Sequence, residues 1–418
     1  MGFLLALTGW GAFCYILQVR YGLGATGMNQ PVSWGFYITN FVFFIGISHA
    51  GTLISAILRM TRAEWRRPVT RMAEVITVVV LFIGAANVFF DLGRPDRIYS
   101  PLLYGRYQSP LLWDATSISA YLTASSVFLY IPLIPDIAIL RDRFAHRKWL
   151  HRFYQVLSFG WNGNPRQQKV LNGGIAIMSV IVIPIAVSVH TVISYIFSMT
   201  LQPMWHSTIF GPYFVCGAIF SGIAALIVFM VILRKIYHLE TYLKPIHFNY
   251  LGVLLLVMSL LWFYFTFSEY LTGFFGHEPS EMRVFWAKFS GPYAPYFWTM
   301  VLCNFIIPVI ILSFRRTKTI TGIFIASVAV LIGMWLERFT IIVPTLANPR
   351  LPFPSGIYFP TWIEWGVTLG CFSFFVFLYL LFSRFFPIIS IWEIREGKEM
   401  ALKEVEERIR GYLPETAS

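Results

Sequence analysis

The chain has 418 residues, 57% hydrophobic and 12% charged, with a mean hydropathy of +0.66. A soluble domain averages about 45–50% apolar and about 25% charged residues, so this composition excludes disorder and an ordinary cytosolic enzyme and points to a polytopic membrane protein. The net charge is +12, from 32 Lys+Arg against 20 Asp+Glu; in a membrane protein such an excess reports orientation and does not require a nucleic-acid partner.

In chain order, ten apolar runs reach the roughly 20 residues that a helical span needs. They are 1–19, 36–58, 72–90, 111–134, 173–199, 208–233, 246–272, 291–314, 319–345 and 362–386. The runs are uninterrupted, which excludes alternating barrel strands. Backbone groups in lipid must bond within their own segment, which leaves an all-α polytopic membrane bundle. Residues 1–392 read as one integral membrane domain. Span one opens directly after Met1, without a basic n-region or a convincing cleavage site, and reads as retained. The link 21–35 holds four glycines and a proline before span two. It reads either as a pocket wall dipping back towards the bilayer or as a plain surface loop. The tail 393–418 mixes charges at helical spacing and reads as a solvated cytoplasmic helix.

The links 59–71, 135–172, 234–245 and 315–318, with the tail from Arg384, hold 24 of the 32 basic residues. The alternate links hold seven, and Arg338 lies inside a span. This alternation places both termini and the basic face in the cytoplasm. The link 135–172, rich in Arg, Lys, Trp and Tyr, suits contact with lipid headgroups. The four cysteines, Cys14, Cys216, Cys303 and Cys371, each stand alone in a span. There is no haem-attachment, iron–sulfur or zinc spacing, no P-loop and no dinucleotide fingerprint. The cysteines read as small buried hydrophobes.

Ionisable groups in spans are expensive, so each is a functional-site hypothesis by default. Here they are His49, Glu74, Asp91, Asp114, His190, Glu269, Glu337, Arg338 and Glu364. At about 1.5 Å per residue, Asp91, Asp114, Glu269 and Glu364 lie within a turn of the outer surface. On the same rise, Arg338 and His190 lie roughly 10–14 Å below it. His49 is near mid-membrane, and only Glu74 is near the inner face. Asp91, Asp114 and Glu364 have an alternative reading as caps of span ends. His49 has none: it sits mid-span in Gly-Ile-Ser-His-Ala-Gly-Thr, where small neighbours admit another helix or a ligand. Glu337 and Arg338 are adjacent and point about 100° apart, so at least one is expected to reach another helix. Arg338 needs a carboxylate or a polar ligand head.

Three chemistries fit. One is proton exchange with a lipid-soluble quinone, using a His and an Asp tuned by burial. A second is a bis-His haem b on His49 and His190, whose depths differ by roughly 5 Å on the same helical rise. A third is a proton- or ion-coupled transporter, although its broken midplane helices are not evident.

Eight strings extend the reading. They are Asn-Gln-Pro-Val-Ser-Trp-Gly-Phe (29–36), Gly-Ile-Ser-His-Ala-Gly-Thr-Leu-Ile-Ser-Ala-Ile (46–57), Asp-Leu-Gly-Arg-Pro (91–95), Ser-Pro-Leu-Leu-Trp-Asp (109–114), Val-His-Thr-Val-Ile-Ser (189–194), Trp-His-Ser-Thr-Ile-Phe-Gly-Pro-Tyr-Phe (205–214), Leu-Glu-Arg-Phe (336–339) and Tyr-Phe-Pro-Thr-Trp-Ile-Glu-Trp (358–365). With them the chain resembles the NrfD/polysulfide reductase membrane-subunit family. The ten spans resemble its larger branch, which includes the membrane subunits of alternative complex III and of the menaquinone reductase complex of sulfate reducers.

The resemblance implies a subunit without haem, iron–sulfur cluster or metal that binds menaquinone or another quinone. It implies two four-helix bundles, spans two to five and six to nine, related as a parallel repeat with flanking helices. It implies a periplasm-facing quinone site in the bacterial inner membrane. The implied partners are a periplasmic iron–sulfur subunit, a molybdopterin-enzyme-like subunit and a multihaem cytochrome c. By motif, His49 is the quinone-site histidine, with Asp91 and Asp114 as catalytic acids and Asp114, His190 and Arg338 as the binding surround. The chain departs from the branch at Asp91, where a His often precedes Leu-Gly-Arg-Pro, and at Ile196, where an acid is common. These departures tilt the reading towards quinone reduction.

Overall fold

A computed structural model of the chain describes residues 1–61, 63–352 and 356–412. Among the described residues all regular structure is helical. Ten helices are long and apolar enough to cross a membrane: Gly2–Tyr21, Phe36–Met60, Thr70–Asp91, Pro110–Arg143, Pro165–Ser198, Phe210–Ile236, Pro245–Gly276, Ala294–Ser313, Ile320–Ala347 and Trp362–Phe385. They are spans one to ten below, one for each expected run. Span five starts eight residues earlier than the apolar run, because Pro165 is preset for a first helical position and the Asn164 side chain caps Gln167 N at 2.8 Å. Span four continues through a tight turn at Ile131–Leu133, where Pro132 and Pro135 remove backbone donors.

Span two packs on three, three on four, four on five, and five back on two. Spans six to nine close a second ring in the same order. The rings meet along spans two and six, and the pair of spans one and ten flanks spans two and three. Small residues let these helices approach. A methyl group on Gly11 would lie 2.7 Å from the Gly370 Cα of span ten. One on Gly51 would lie 1.9 Å from both the Ala73 carbonyl oxygen and Thr77 Oγ1 of span three. Two spans hold one wide π-turn each, Ala50–Ile54 in span two and Leu302–Ile306 in span eight.

The tail corrects the sequence reading. The helix Ile391–Tyr412 is docked by its first turn, not solvated throughout. Asp136 accepts the backbone N–H groups of Ile391 and Trp392, both at 3.0 Å, and pairs with Arg71. A carboxylate is favoured there by the positive end of the helix dipole. Glu393, 1% exposed, pairs with Arg59 at 3.0 Å and Arg66 at 2.9 Å. Burial pushes the Glu393 carboxyl up, but Arg59 and Arg66 outweigh it and hold it below its usual range. Farther along, Met400, Leu402 and Val405 are exposed.

Candidate functional site

Span two brings His49 to the seam between the two bundles. Gly46, one turn earlier, is close enough to span six that a methyl group there would meet Ser221 Oγ at 3.3 Å. The π-turn begins at the next residue, Ala50, and such turns recur at functional sites. His49 is fully buried, and its Nε2 lies 2.7 Å from the Ala186 carbonyl of span five. A carbonyl only accepts, so Nε2 carries the proton and Nδ1 of the neutral ring keeps a lone pair. That Nδ1 has no hydrogen-bond partner.

His190, one turn beyond Ala186 on span five, is also fully buried, with both ring nitrogens unpartnered. The two imidazoles touch, with centroids 3.7 Å apart and planes at 64°. The expected depth difference is corrected: the crossing of spans two and five brings both rings to one level. The contact also bears on haem. Two metal–imidazole bonds of about 2 Å each need an iron between the rings, and rings at this separation leave no place for it.

Arg338 of span nine is 1% exposed, lies 4.7 Å over the Phe214 ring and is within electrostatic reach of His190. It pairs with its own neighbour Glu337 at 3.1 Å. The expectation that at least one of the two reaches another helix holds, for Glu337 meets Trp262 of span seven and Arg338 meets Phe214 of span six; the divergence does not, because both bend into one gap opened by Gly217, where a methyl group would lie 2.6 Å from the guanidinium. The pair is close but poorly aligned, and both terminal nitrogens of Arg338 lack a hydrogen-bond acceptor. Glu337 is held from the other side by Trp262 Nε1 at 2.6 Å.

Asp114 lies in the second turn of span four, which begins at Pro110 after Ser109. It is not the end cap, and its Oδ1 is buried without a partner. It shares the buried face of span four with Ile118 and Tyr121, about 10 Å above Tyr121 at the helical rise. Asp91 closes span three and stands apart from the histidine pair, within electrostatic reach of Glu364, with its Oδ1 unpartnered. Glu364 is the cap the sequence suggested. It accepts Thr361 N at 2.9 Å and Gly27 N at 2.7 Å, and the Tyr358 hydroxyl bonds to it. These bonds pin the 21–35 link against the bundle as a wall. Its Trp34 stacks on Trp205 at 6.1 Å and meets Phe197 edge-on at 5.9 Å.

Sequence reasoning missed Tyr121. Its ring lies 5.5 Å from His49, and its hydroxyl donates to Thr52 Oγ1 at 2.9 Å. Tyr121 follows Asp114 by seven residues on the same helix face, a spacing that could have found it. Cavities of about 420, 570 and 590 Å³ lie at the basic face, and none of these three is lined by His49 or His190. The constellation therefore consists of buried polar atoms without a hydrogen-bond partner: His49 Nδ1, both nitrogens of His190, and the two terminal nitrogens of Arg338, whose guanidinium has the poorly aligned ion pair with Glu337.

Residues 24–349 match the family model described as Polysulphide reductase, NrfD. Among the curated relatives, a protein of Halobacterium salinarum named as a candidate membrane subunit of dimethyl sulfoxide reductase is 25% identical, over 92% of this chain and 89% of its own length. A selenate reductase subunit of Mesobacillus selenatarsenatis is 22% identical, over 91% and 92%. The menaquinone reductase integral membrane subunit of Nitratidesulfovibrio vulgaris is 22% identical, over 93% and 91%.

Proposed function

Because this chain belongs to the polysulphide reductase, NrfD family, we propose that it is the quinone-site membrane subunit of a respiratory oxidoreductase complex. The observation that carries the reading is the set of polar atoms without a hydrogen-bond partner on His49, His190 and Arg338, buried where the two bundles meet. Buried polar groups are almost always paired, so a cluster left open fits a ligand with hydrogen-bonding oxygens. A bound quinone supplies interconversion with its quinol by two electrons and two protons.

The protein's part is to bind, orient and move protons. Arg338, permanently charged, donates to a carbonyl oxygen. His49 Nδ1 takes a proton from, or returns it to, a ligand hydroxyl, with Nε2–H anchored on Ala186. His190 lies against the His49 ring and supplies the second exchangeable site. Asp114 and Asp91 serve as outlying acids of the same face. The Trp34–Trp205–Phe197 layer packs the 21–35 link against span five.

In this reading the site faces the periplasm, because 24 of the 32 basic residues mark the other face as cytoplasmic. Electrons pass between menaquinone, or another quinone, and a periplasmic iron–sulfur subunit. A molybdopterin-enzyme-like subunit and a multihaem cytochrome c complete the complex, in the direction of quinone reduction. The relatives named as subunits of dimethyl sulfoxide, selenate and menaquinone reductases support this reading. The test is His49→Ala in the intact complex. Assembly is expected to persist while quinone turnover falls by on the order of 10²-fold or more, the loss expected of a removed acid–base group. Normal turnover in the assembled variant would overturn the assignment.

A further inference from the structure

The second bundle carries a polar chain that the histidine site does not account for. It begins at the charge-poor face, on the short helix Pro279–Phe289 outside the spans. There Lys288 is only 3% exposed, with its ammonium 5.5 Å over the Tyr270 ring. Burial pushes that ammonium down to about 8, against the opposing pull of Glu269. A cavity of about 20 Å³ lies among Lys288, Glu269, Tyr270 and Tyr213, which is room for one water. Glu269 accepts from Ser207 Oγ at 2.6 Å, and Glu281 and His206 at the surface lie within its electrostatic reach. On the inner side, the Tyr213 hydroxyl receives Thr266 Oγ1 at 3.2 Å and lies within reach of Glu337. Glu337 contacts Arg338, and Arg338 is within reach of His190.

We propose that Glu269, the one-water cavity and Tyr213 form a proton route that joins Glu337, which lies beside Arg338 at the edge of the ligand site, to water at the Lys288 end of the molecule. The proposal rests on the quinone reading. Each hop breaks one O–H or N–H bond on the donor as one forms on the acceptor. Two protons pass for every quinone converted, and the two electrons travel separately through the periplasmic redox subunit. The route is polar where its neighbours are apolar: Trp205, Phe210, Met204 and Ile341 line the rest of the cavity. Lys288, charged below about pH 8, lines the same small cavity as Glu269 at the entrance of the route.

The experiment uses the intact complex in membranes. Glu269→Gln and Tyr213→Phe are expected to lower turnover by on the order of 10²-fold while bound quinone per complex stays at the wild-type level. Small permeant weak acids are expected to restore turnover in Glu269→Gln, which a structural lesion would not allow. Infrared pH titration of the resting complex is expected to show a carboxyl band that Glu269→Gln removes and Lys288→Met shifts. Turnover within twofold of wild type in both variants, or loss that weak acids do not rescue, would overturn the route. Absence of bound quinone in the wild type would instead overturn the reading beneath it.

Discussion

At the scale of single residues, His49, His190 and Arg338 were legible because an ionisable group in the middle of an apolar run has few explanations. Their mutual contact was not legible. Which way His190 faces depends on how span five crosses span two, and one sequence does not encode that crossing angle. The same limit hid the Glu337–Arg338 contact, which needs the gap at Gly217 of another span. The burial of Lys288 was not legible either, because it comes from span seven folding beside it. One prediction belongs to this scale. Arg338→Lys keeps the charge but loses the planar fork, so quinone affinity is expected to fall about tenfold or more, the factor equivalent to about 1.4 kcal/mol. Titration of quinone binding to the purified complex checks it; unchanged affinity would remove Arg338 from the binding surround.

At the scale of elements, all ten spans were legible from hydropathy, since only length and apolarity decide them. Their ends were less so. Span five overran its apolar stretch because Asn164 and Pro165 start a helix in polar sequence. The tail helix was visible from its charge spacing, but its docking was not, because Asp136 and Arg59 lie some 250 to 330 residues away in sequence. Breaking a buried ion pair by removing one partner costs about 3–5 kcal/mol, so Asp136→Asn should lower the thermal midpoint of the complex and expose residues 391–412 to protease. Acid should act similarly. The Glu393 carboxyl is held below its usual range, so its stabilising share is complete above the ordinary carboxylate pKa and is lost as pH falls through the depressed value. Protease sensitivity of the tail is therefore expected to rise below about pH 4, near the ordinary carboxylate range, and Glu393→Gln should remove that pH dependence. Gly51→Ala tests the seam of spans two and three. Overpacking costs typically about 1–3 kcal/mol, and reduced yield of assembled complex is the expected result.

At the scale of the whole molecule, the strongest sequence signal was the sidedness of the charge. Most of the intramembrane polar groups lie in the middle or towards the face opposite most of the basic residues, and the structure brings His49, His190, Glu337 and Arg338 to the seam between two four-helix rings. The most direct test of a quinone site on this seam is photolabelling of the intact complex with a photoreactive menaquinone analogue, followed by peptide mapping. Label on the peptides holding His49, His190 and Arg338, abolished by excess menaquinone, is the predicted result. Competable label confined to the basic-face cavity lined by Ile131, Trp161 and Leu171 would contradict it.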